Sequence, residues 1–224
     1  MTERELVITI DGPAGAGKST VARLLAERLG YRLIDTGAMY RALAWSVCEA
    51  GLAPEDTPAL RRHLAGVGVT LERDRVMVNG DDVTAKIRTR EISELTSRLT
   101  TLGVVREQVT PMQRALARQG GVVLEGRDTG TVVCADADVK FYLDASIDER
   151  ARRRHRELQG GASVAFDALR AEIRARDVQD TTRALAPLRK PAGAIEIDTS
   201  DLSVEQVLDR MLEAVERRRC CTRS

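Results

Sequence analysis

Residues 12–19 form a pattern that could bind a nucleoside triphosphate. They are Gly12, Pro13, Ala14, Gly15, Ala16, Gly17, Lys18 and Ser19, a full match to G-x-x-x-x-G-K-[ST]. In this pattern backbone N–H groups converge on phosphate oxygens, the lysine reaches the β- and γ-phosphates, and the hydroxyl ligates Mg²⁺. An apolar run precedes the motif and a helical pattern follows it, so we expect a phosphate-binding loop rather than a glycine-rich turn without function.

Two further polar segments follow apolar runs that we interpret as strands. Thr36 and Arg41 lie in the first, where a hydroxyl and a guanidinium could meet the same anion. Arg127 and Asp128 lie in the second, between glycines that permit close backbone approach to a ligand. Each pair also has a structural reading: Thr36 as a helix cap with Arg41 on the surface, and Arg127 paired with Asp128.

A third set, Arg176, Asp180 and Arg183, has helical spacing and could be either a ligand-binding face or a solvated ion-pair ladder. His63 and His155 have no partner at catalytic spacing. The absence of a general base fits an acceptor that is already ionised. A phosphate monoester, whose second pKa is about 6, meets that requirement, whereas an alcohol does not.

The apolar runs and helical stretches alternate along the chain. The runs are 6–10, 32–34, 122–124, 139–143 and 194–197, and their near-continuous apolar character is typical of strands buried on both faces of a parallel sheet. Helical spacing is found over 21–29, 41–50, 104–118, 147–158, 164–178 and 204–215. We therefore predict an α/β fold, a three-layer, doubly wound, parallel five-stranded sheet.

Two segments interrupt this alternation. Residues 67–71 and 76–78 alternate apolar with polar side chains, and Asn79-Gly80 is a turn signal, so we predict a small antiparallel insert over about 53–98. Gln159-Gly160-Gly161, after the Arg-dense segment 149–156, suits a hinge or an ordinary helix end, and we predict a mobile lid region over about 151–185. The core would then be about 1–52, 99–150 and 186–218 of a single domain, with a frayed tail at 219–224.

The composition argues against several classes of function. Of the 224 residues, 35 are basic and 34 acidic, so no strong overall field would attract nucleic acid or an anionic membrane. Aromatic residues make up 3%, too few to form a platform for stacked bases. The four cysteines have no C-x-x-C spacing, and no apolar stretch could cross a bilayer. We expect a reduced, cytoplasmic protein, monomeric by default.

With these motifs assembled, the sequence resembles the bacterial cytidylate (CMP) kinase family from Ile8 to about Val215. The most specific matches are residues 8–13 leading into the phosphate loop, 35–41, 126–133, and 180–183 followed by Ala186-Pro187-Leu188. The insert also fits, because the monophosphate-binding region of this family is enlarged by a short antiparallel sheet. Thr36 replaces the serine expected there but keeps the hydroxyl.

The resemblance implies a role for each candidate residue. Residues 12–20, ending at Thr20, would wrap ATP, and Ser19 would hold Mg²⁺ together with the ATP phosphates. Arg153 and Arg154 would lie on the lid near the transferred phosphate, and Arg154 is assigned to ATP. The CMP phosphate would be held by Thr36, Arg41, Arg127 and Arg183, the cytosine by Ser97, Arg106 and Asp128, and the ribose by Arg176 and Asp180. The residues expected to act in transfer are Lys18, Arg41, Arg127 and Arg183.

The implied activity is transfer of the γ-phosphoryl group of MgATP to CMP and dCMP. Two alternatives stay open at this point: a small-molecule kinase of the shikimate or gluconate type, which needs a hydroxyl acceptor, and a non-catalytic nucleotide-binding module.

Overall fold

The computed structural model describes residues 5–72, 75–158 and 165–222. The predicted hinge at Gln159-Gly160-Gly161 lies outside the described residues. The strands are β1 (Val7–Asp11), β2 (Arg32–Asp35), β3 (Val69–Glu72), β4 (Arg75–Val78), β5 (Asp81–Asp82), β6 (Val122–Gly126), β7 (Val139–Asp144) and β8 (Ile195–Asp198). The α-helices are α1 (Lys18–Leu29), α2 (Thr36–Glu49), α3 (Pro58–Ala65), α4 (Arg90–Leu99), α5 (Gly103–Ala117), α6 (Ile147–Leu158), α7 (Phe166–Thr182) and α8 (Val204–Thr222).

Within the described residues, the central sheet has five strands in the order β2-β6-β1-β7-β8. β1 pairs in parallel with β6 and with β7, and β7 pairs in parallel with β8. β1 and β6 are buried almost throughout, which explains why their sequences are mostly apolar, with Thr9, Asp11 and Glu125 as buried polar exceptions. This confirms the predicted α/β fold with a five-stranded parallel sheet.

The chain divides into two compact units, of which the larger comprises residues 1–33 and 120–224. Its core lies between the sheet and the helices α1 and α8, where Leu25, Phe141 and Met211 are each 0% exposed. Burying side chains of this size contributes about 1.5–3 kcal/mol each. The core therefore fixes the end of β1 and the start of α1, between which the predicted phosphate loop runs.

The last helix is longer than predicted. α8 continues to Thr222, so the frayed tail predicted from residue 219 begins too early. Arg219 explains the extension: its guanidinium lies 5.5 Å from the centre of the Tyr31 ring, and Nη2 donates to Tyr31 Oη at 3.0 Å. Among the described residues, no helix is long and apolar enough to cross a membrane.

The smaller unit comprises residues 34–119. It contains a separate sheet, β3-β4-β5, whose strands are antiparallel, with Val69 opposite Val78. The left-handed Asn79 and Gly80, with φ of 49° and 93°, make the tight turn between β4 and β5, as their sequence predicts. Because α2 and α5 also belong to this unit, it is wider than the predicted insert of 53–98.

Candidate active site

The phosphate-binding loop of the larger unit joins β1 to α1. Gly12 has φ of 146°, and a Cβ atom there would collide with the Leu143 carbonyl, so the position requires glycine. Gly17, with φ of 88°, turns the chain into α1. Within the described residues, no side chain caps α1 and its first turn has no acidic residue. The N–H groups at this helix start, with their positive dipole end, can therefore bind an anion.

Side chains from outside the loop donate hydrogen bonds to three of its backbone carbonyls. Arg150 Nη1 donates to the Ala14 carbonyl at 3.3 Å, Arg153 Nη1 to the Gly15 carbonyl at 3.4 Å, and Thr199 Oγ1 to the Ala16 carbonyl at 3.1 Å. Arg150 is in turn paired with Asp177 at 2.7 Å. With three successive carbonyls held in this way, the loop keeps one backbone conformation.

Lys18 is buried at the start of α1. It is 6% exposed, and its Nζ donates to the Pro13 carbonyl at 2.6 Å. Burial lowers the pKa of Lys18 well below its usual value, and the positive charges of Arg127 and Arg176 lower it further, while Glu125 acts in the opposite direction. The positive charges of Arg127 and Arg176 therefore act on the Lys18 ammonium, and a bound polyphosphate would favour its charged form.

The next residue, Ser19, contacts a carboxylate that we did not single out from the sequence. Its Oγ donates to Glu125 Oε2 at 2.8 Å, and Glu125 is 5% exposed at the end of β6, the strand beside β1. A hydroxyl and a carboxylate are hard oxygen donors, which suit Mg²⁺ when nucleotide phosphates complete its shell. The residues present therefore fit the predicted magnesium position.

Four charged residues of the larger unit form one network. Arg127 Nε donates to Asp180 at 2.9 Å, and Arg183 lies 3.6 Å from Asp180 and 3.8 Å from Asp128. The Arg183 and Asp128 side chains are only 6% and 7% exposed, so the network is not a solvated surface ladder. Asp180 lies in α7, and the chain leaves that helix at Arg183, whose Nε donates to the Ala186 carbonyl at 2.8 Å.

Arg154, which was assigned to ATP, is not at the loop. It is 50% exposed and pairs with Glu157 at 3.0 Å, one turn along α6. Its neighbour Arg153 is 22% exposed and contacts the loop, and it also donates to Thr199 Oγ1 at 3.0 Å and to the Thr199 carbonyl at 2.6 Å. Of these two arginines, the structure therefore brings Arg153 and not Arg154 into contact with the loop.

Replacing Arg153 with alanine should raise the KM for ATP about tenfold, because it removes charged hydrogen bonds to Gly15 and Thr199. Replacing Arg154 with alanine should change it by less than about twofold, since an exposed ion pair contributes little. Initial rates over a range of ATP concentrations measure both values. The reverse ranking of the two variants would favour the original assignment.

In the smaller unit, Thr36 and Arg41 lie at the start of α2. Asp35, not Thr36, is the N-cap: its Oδ1 accepts from the Ala38 N–H at 2.7 Å. Asp35 Oδ2 accepts from Arg41 Nη2 at 2.9 Å, which holds the arginine beside the helix start. Thr36 is 4% exposed. Thr36 therefore does not cap the helix, and Arg41 is paired with Asp35 while its side chain stays 27% exposed.

The other two candidates of the smaller unit, Ser97 and Arg106, lie close to each other. Thr100 links them, because its Oγ1 donates to the Ser97 carbonyl at 3.0 Å and its carbonyl accepts from Arg106 Nη1 at 3.4 Å. Arg106 is 8% exposed, with its guanidinium 5.7 Å from the centre of the Tyr40 ring. An arginine stacked on an aromatic ring keeps a fixed orientation.

Sequence reasoning missed Glu125, Arg150 and Thr199 as parts of this site. Glu125 had a usable signal, a carboxylate at the carboxyl end of a buried strand, where ligands bind in such sheets. Arg150 and Thr199 had none, since they meet the loop from positions more than a hundred residues away, at Ala14 and Ala16.

The fold and this site define a P-loop nucleotide-binding protein. Solved structures with TM-scores of 0.52 and 0.50 share the fold. They are an uncharacterized protein from Eubacterium ventriosum (14% identity, covering 96% of this chain and 99% of that one) and a shikimate kinase from Acinetobacter baumannii in complex with shikimate (17%, 96% and 95%).

Sequence relatives give the family. The cytidylate kinase of Geobacter sulfurreducens is 50% identical over 224 residues, covering 98% of this chain and 96% of that protein. The cytidylate kinase of Geobacillus kaustophilus is 48% identical over 221 residues, covering 96% and 99%. The family model for cytidylate kinase matches residues 8–217. The chain belongs to the cytidylate kinase family, as the sequence motifs predicted.

Proposed function

We propose that this protein transfers the γ-phosphoryl group of MgATP to CMP and dCMP, forming ADP and the corresponding diphosphate. The observation that carries the proposal is the phosphate loop between β1 and α1, where Gly12 and Gly17 set the backbone, the start of α1 is uncapped among the described residues, and Lys18 is buried. N–H groups and a lysine arranged in this way stabilise highly charged phosphates. Membership of the cytidylate kinase family supports CMP as the acceptor.

Transfer would proceed in line without a general base. The attacking phosphate oxygen of a nucleoside monophosphate is already ionised at neutral pH, so the protein has to position and neutralise rather than deprotonate. Lys18 would stay bound to the γ-phosphoryl group during transfer. Arg41, Arg127 and Arg183 would bind the phosphate of the acceptor. Each of these arginines is oriented by a carboxylate, Asp35 or Asp180, and a guanidinium has five donors, so it can bind phosphate while keeping that partner.

ATP would bind along residues 12–20, with its phosphates on the loop N–H groups. Mg²⁺, held by Ser19 and the ATP phosphates with Glu125 close by, would neutralise charge on the β- and γ-oxygens. We retain Arg153 rather than Arg154 as the α6 contact to the nucleotide side.

The residues proposed for the acceptor are those that the family resemblance assigns to CMP. In the larger unit these are Arg127, Asp128, Arg176, Asp180 and Arg183, and in the smaller unit Thr36, Arg41, Ser97 and Arg106. Asp128 and Ser97 would recognise the exocyclic amino group of cytosine, Arg106 the ring, and Arg176 with Asp180 the ribose. Support for Asp128 comes from its side chain, which is 7% exposed and lies beside Arg183, a setting that restrains the carboxylate.

Replacing Asp128 with alanine should reduce the preference for CMP over UMP about tenfold, because uracil has no amino group to donate to the lost carboxylate. The ratio of kcat/KM values for the two acceptors measures this preference. The matched control is Asp136→Ala, an exposed aspartate of the same segment, which should leave the ratio unchanged. An unaltered ratio in the Asp128 variant would remove this residue from base recognition.

An assay of ADP release with CMP, UMP, AMP or shikimate as acceptor tests the function as a whole. Release with CMP is the expected result. Release with shikimate alone would favour the hydroxyl-acceptor kinase, and nucleotide binding without release would favour the non-catalytic module. We further propose a cytoplasmic monomer, supported by the near balance of charge and by cysteine spacing; light scattering on the purified protein tests the monomer.

A further inference from the structure

A buried carboxylate joins the two loops of the larger unit that the proposed chemistry uses. Asp11 is 0% exposed. Its Oδ1 accepts from the Thr129 N–H and the Thr129 hydroxyl, both at 2.8 Å, and its Oδ2 accepts from the Gly130 N–H at 2.7 Å. All three donors belong to a segment 118 or 119 residues further along the chain.

The backbone of the segment that donates these hydrogen bonds is shaped to approach Asp11 closely. Residues Thr129–Val133 form a single π-helical turn after β6, a rare conformation often found at functional sites. A Cβ atom at Gly130 would lie 2.8 Å from Thr9 Oγ1, 2.9 Å from Pro191 Cγ and 3.2 Å from Asp11 Oδ2. Only glycine permits so close an approach, so the turn and the end of β1 are in direct contact.

The position of Asp11 in the chain shows which two functional segments the contact joins. The residue after it is Gly12, the first of the phosphate loop, and the residue before Thr129 is Asp128, which follows Arg127. One side chain therefore connects the backbone of the ATP loop with the backbone of the segment proposed to hold the acceptor.

Burying this carboxylate costs desolvation free energy. Burial raises the pKa of Asp11, and the three hydrogen bonds act against that rise. An apolar pair would fill the same space without the desolvation penalty, and buried charges of this kind can serve to specify one geometry.

We propose that Asp11 is a positioning residue that fixes Arg127 and Asp128 relative to the phosphate loop, and so sets both the rate of transfer and the preference for a cytosine acceptor. The inference rests on the proposed function. It assigns Asp11 no contact with either nucleotide.

The test is Asp11→Asn, which preserves shape but places an NH₂ group against a backbone N–H in either orientation of the amide. The expected result is a fall in kcat with CMP on the order of 100-fold, since small displacements of reacting groups are that costly, and about a tenfold loss of preference for CMP over UMP. Hydrogen exchange of the Thr129 and Gly130 amides should accelerate in the same variant.

Two companion variants make the test decisive. Thr129→Val removes one of the three donors and leaves the carboxylate, so it should shift kcat and preference in the same direction by less, even if the Asp11 variant folds poorly. Asp138→Asn is the matched control, because Asp138 Oδ2 accepts from the Val7 N–H at 2.9 Å, at the opposite end of β1. It should leave both quantities unchanged.

Unchanged kcat and preference in Asp11→Asn, with only a lower melting temperature, would reduce Asp11 to a packing role and overturn the inference. Equal losses in Asp138→Asn would do the same, since they would reflect general weakening of β1. Failure of the wild-type protein to release ADP with CMP would instead reject the proposed function, while the exchange of the Thr129 and Gly130 amides still tests the link itself.

Discussion

Replacing Lys18 with alanine is expected to reduce kcat/KM for ATP-dependent phosphorylation of CMP by at least about 1,000-fold. Lys18 is the buried cation of the phosphate loop, and its pKa is held well below the usual value by burial and by Arg127. The ammonium is therefore poorly stabilised until phosphate arrives, and its interaction strengthens as charge moves onto the leaving oxygens. Steady-state rates with saturating CMP, together with ATP binding by calorimetry, measure the loss.

Lys190 supplies a matched control among the four lysines of the chain. It is 52% exposed and pairs with Glu196 at 2.7 Å, away from the loop. Lys190→Ala should retain wild-type rates, because an exposed pair contributes little. Full activity in the Lys18 variant would place the nucleotide elsewhere and remove the basis of the proposed function.

Replacing Glu125 with glutamine is expected to lower kcat about 10- to 100-fold and to raise the Mg²⁺ concentration needed for half-maximal rate. The amide oxygen can still accept from Ser19 Oγ, so the local hydrogen bond of 2.8 Å is preserved while the negative charge is lost. The effect therefore reports on charge beside the metal position and not on the shape of the site. Rates measured over a range of Mg²⁺ at fixed ATP separate the two quantities.

Glu196→Gln is the corresponding control, since Glu196 is the exposed partner of Lys190. Its Mg²⁺ dependence should match that of the wild-type protein. If Glu125→Gln also matches the wild type, the carboxylate acts only to orient Ser19, and the metal would be held without its help.

The fold could be read from the sequence where burial dictates residue type. β1 and β6 are mostly apolar because both faces of the central strands are covered, and each predicted strand of the main sheet is present. The helices α3 and α4 were missed. Both begin at a threonine N-cap, Thr57 and Thr89, which was a readable signal. Both segments fell almost entirely within the region predicted as an antiparallel insert. In addition, α4 has few apolar residues that could argue against that prediction.

The site was predictable where a motif carries its own geometry. The phosphate loop needs glycines at set backbone angles and a lysine at the helix start, and Gly12, Gly17 and Lys18 lie accordingly. Contacts between distant segments could not be foreseen, because the pairing of Asp11 with Thr129 or of Thr199 with Ala16 exists only after the sheet has formed. Which of Arg153 and Arg154 contacts the loop could not be foreseen for a related reason, since it depends on the rotation of α6 about its axis.

The side-chain hydrogen bonds to the carbonyls of the phosphate loop have a consequence for nucleotide affinity. Because Arg150, Arg153 and Thr199 restrain Ala14, Gly15 and Ala16, the loop loses little conformational entropy when a nucleotide binds. Most of the interaction energy with the triphosphate is then available as affinity instead of being spent on ordering the backbone. Inorganic tripolyphosphate, which lacks base and sugar, should for this reason compete measurably with ATP.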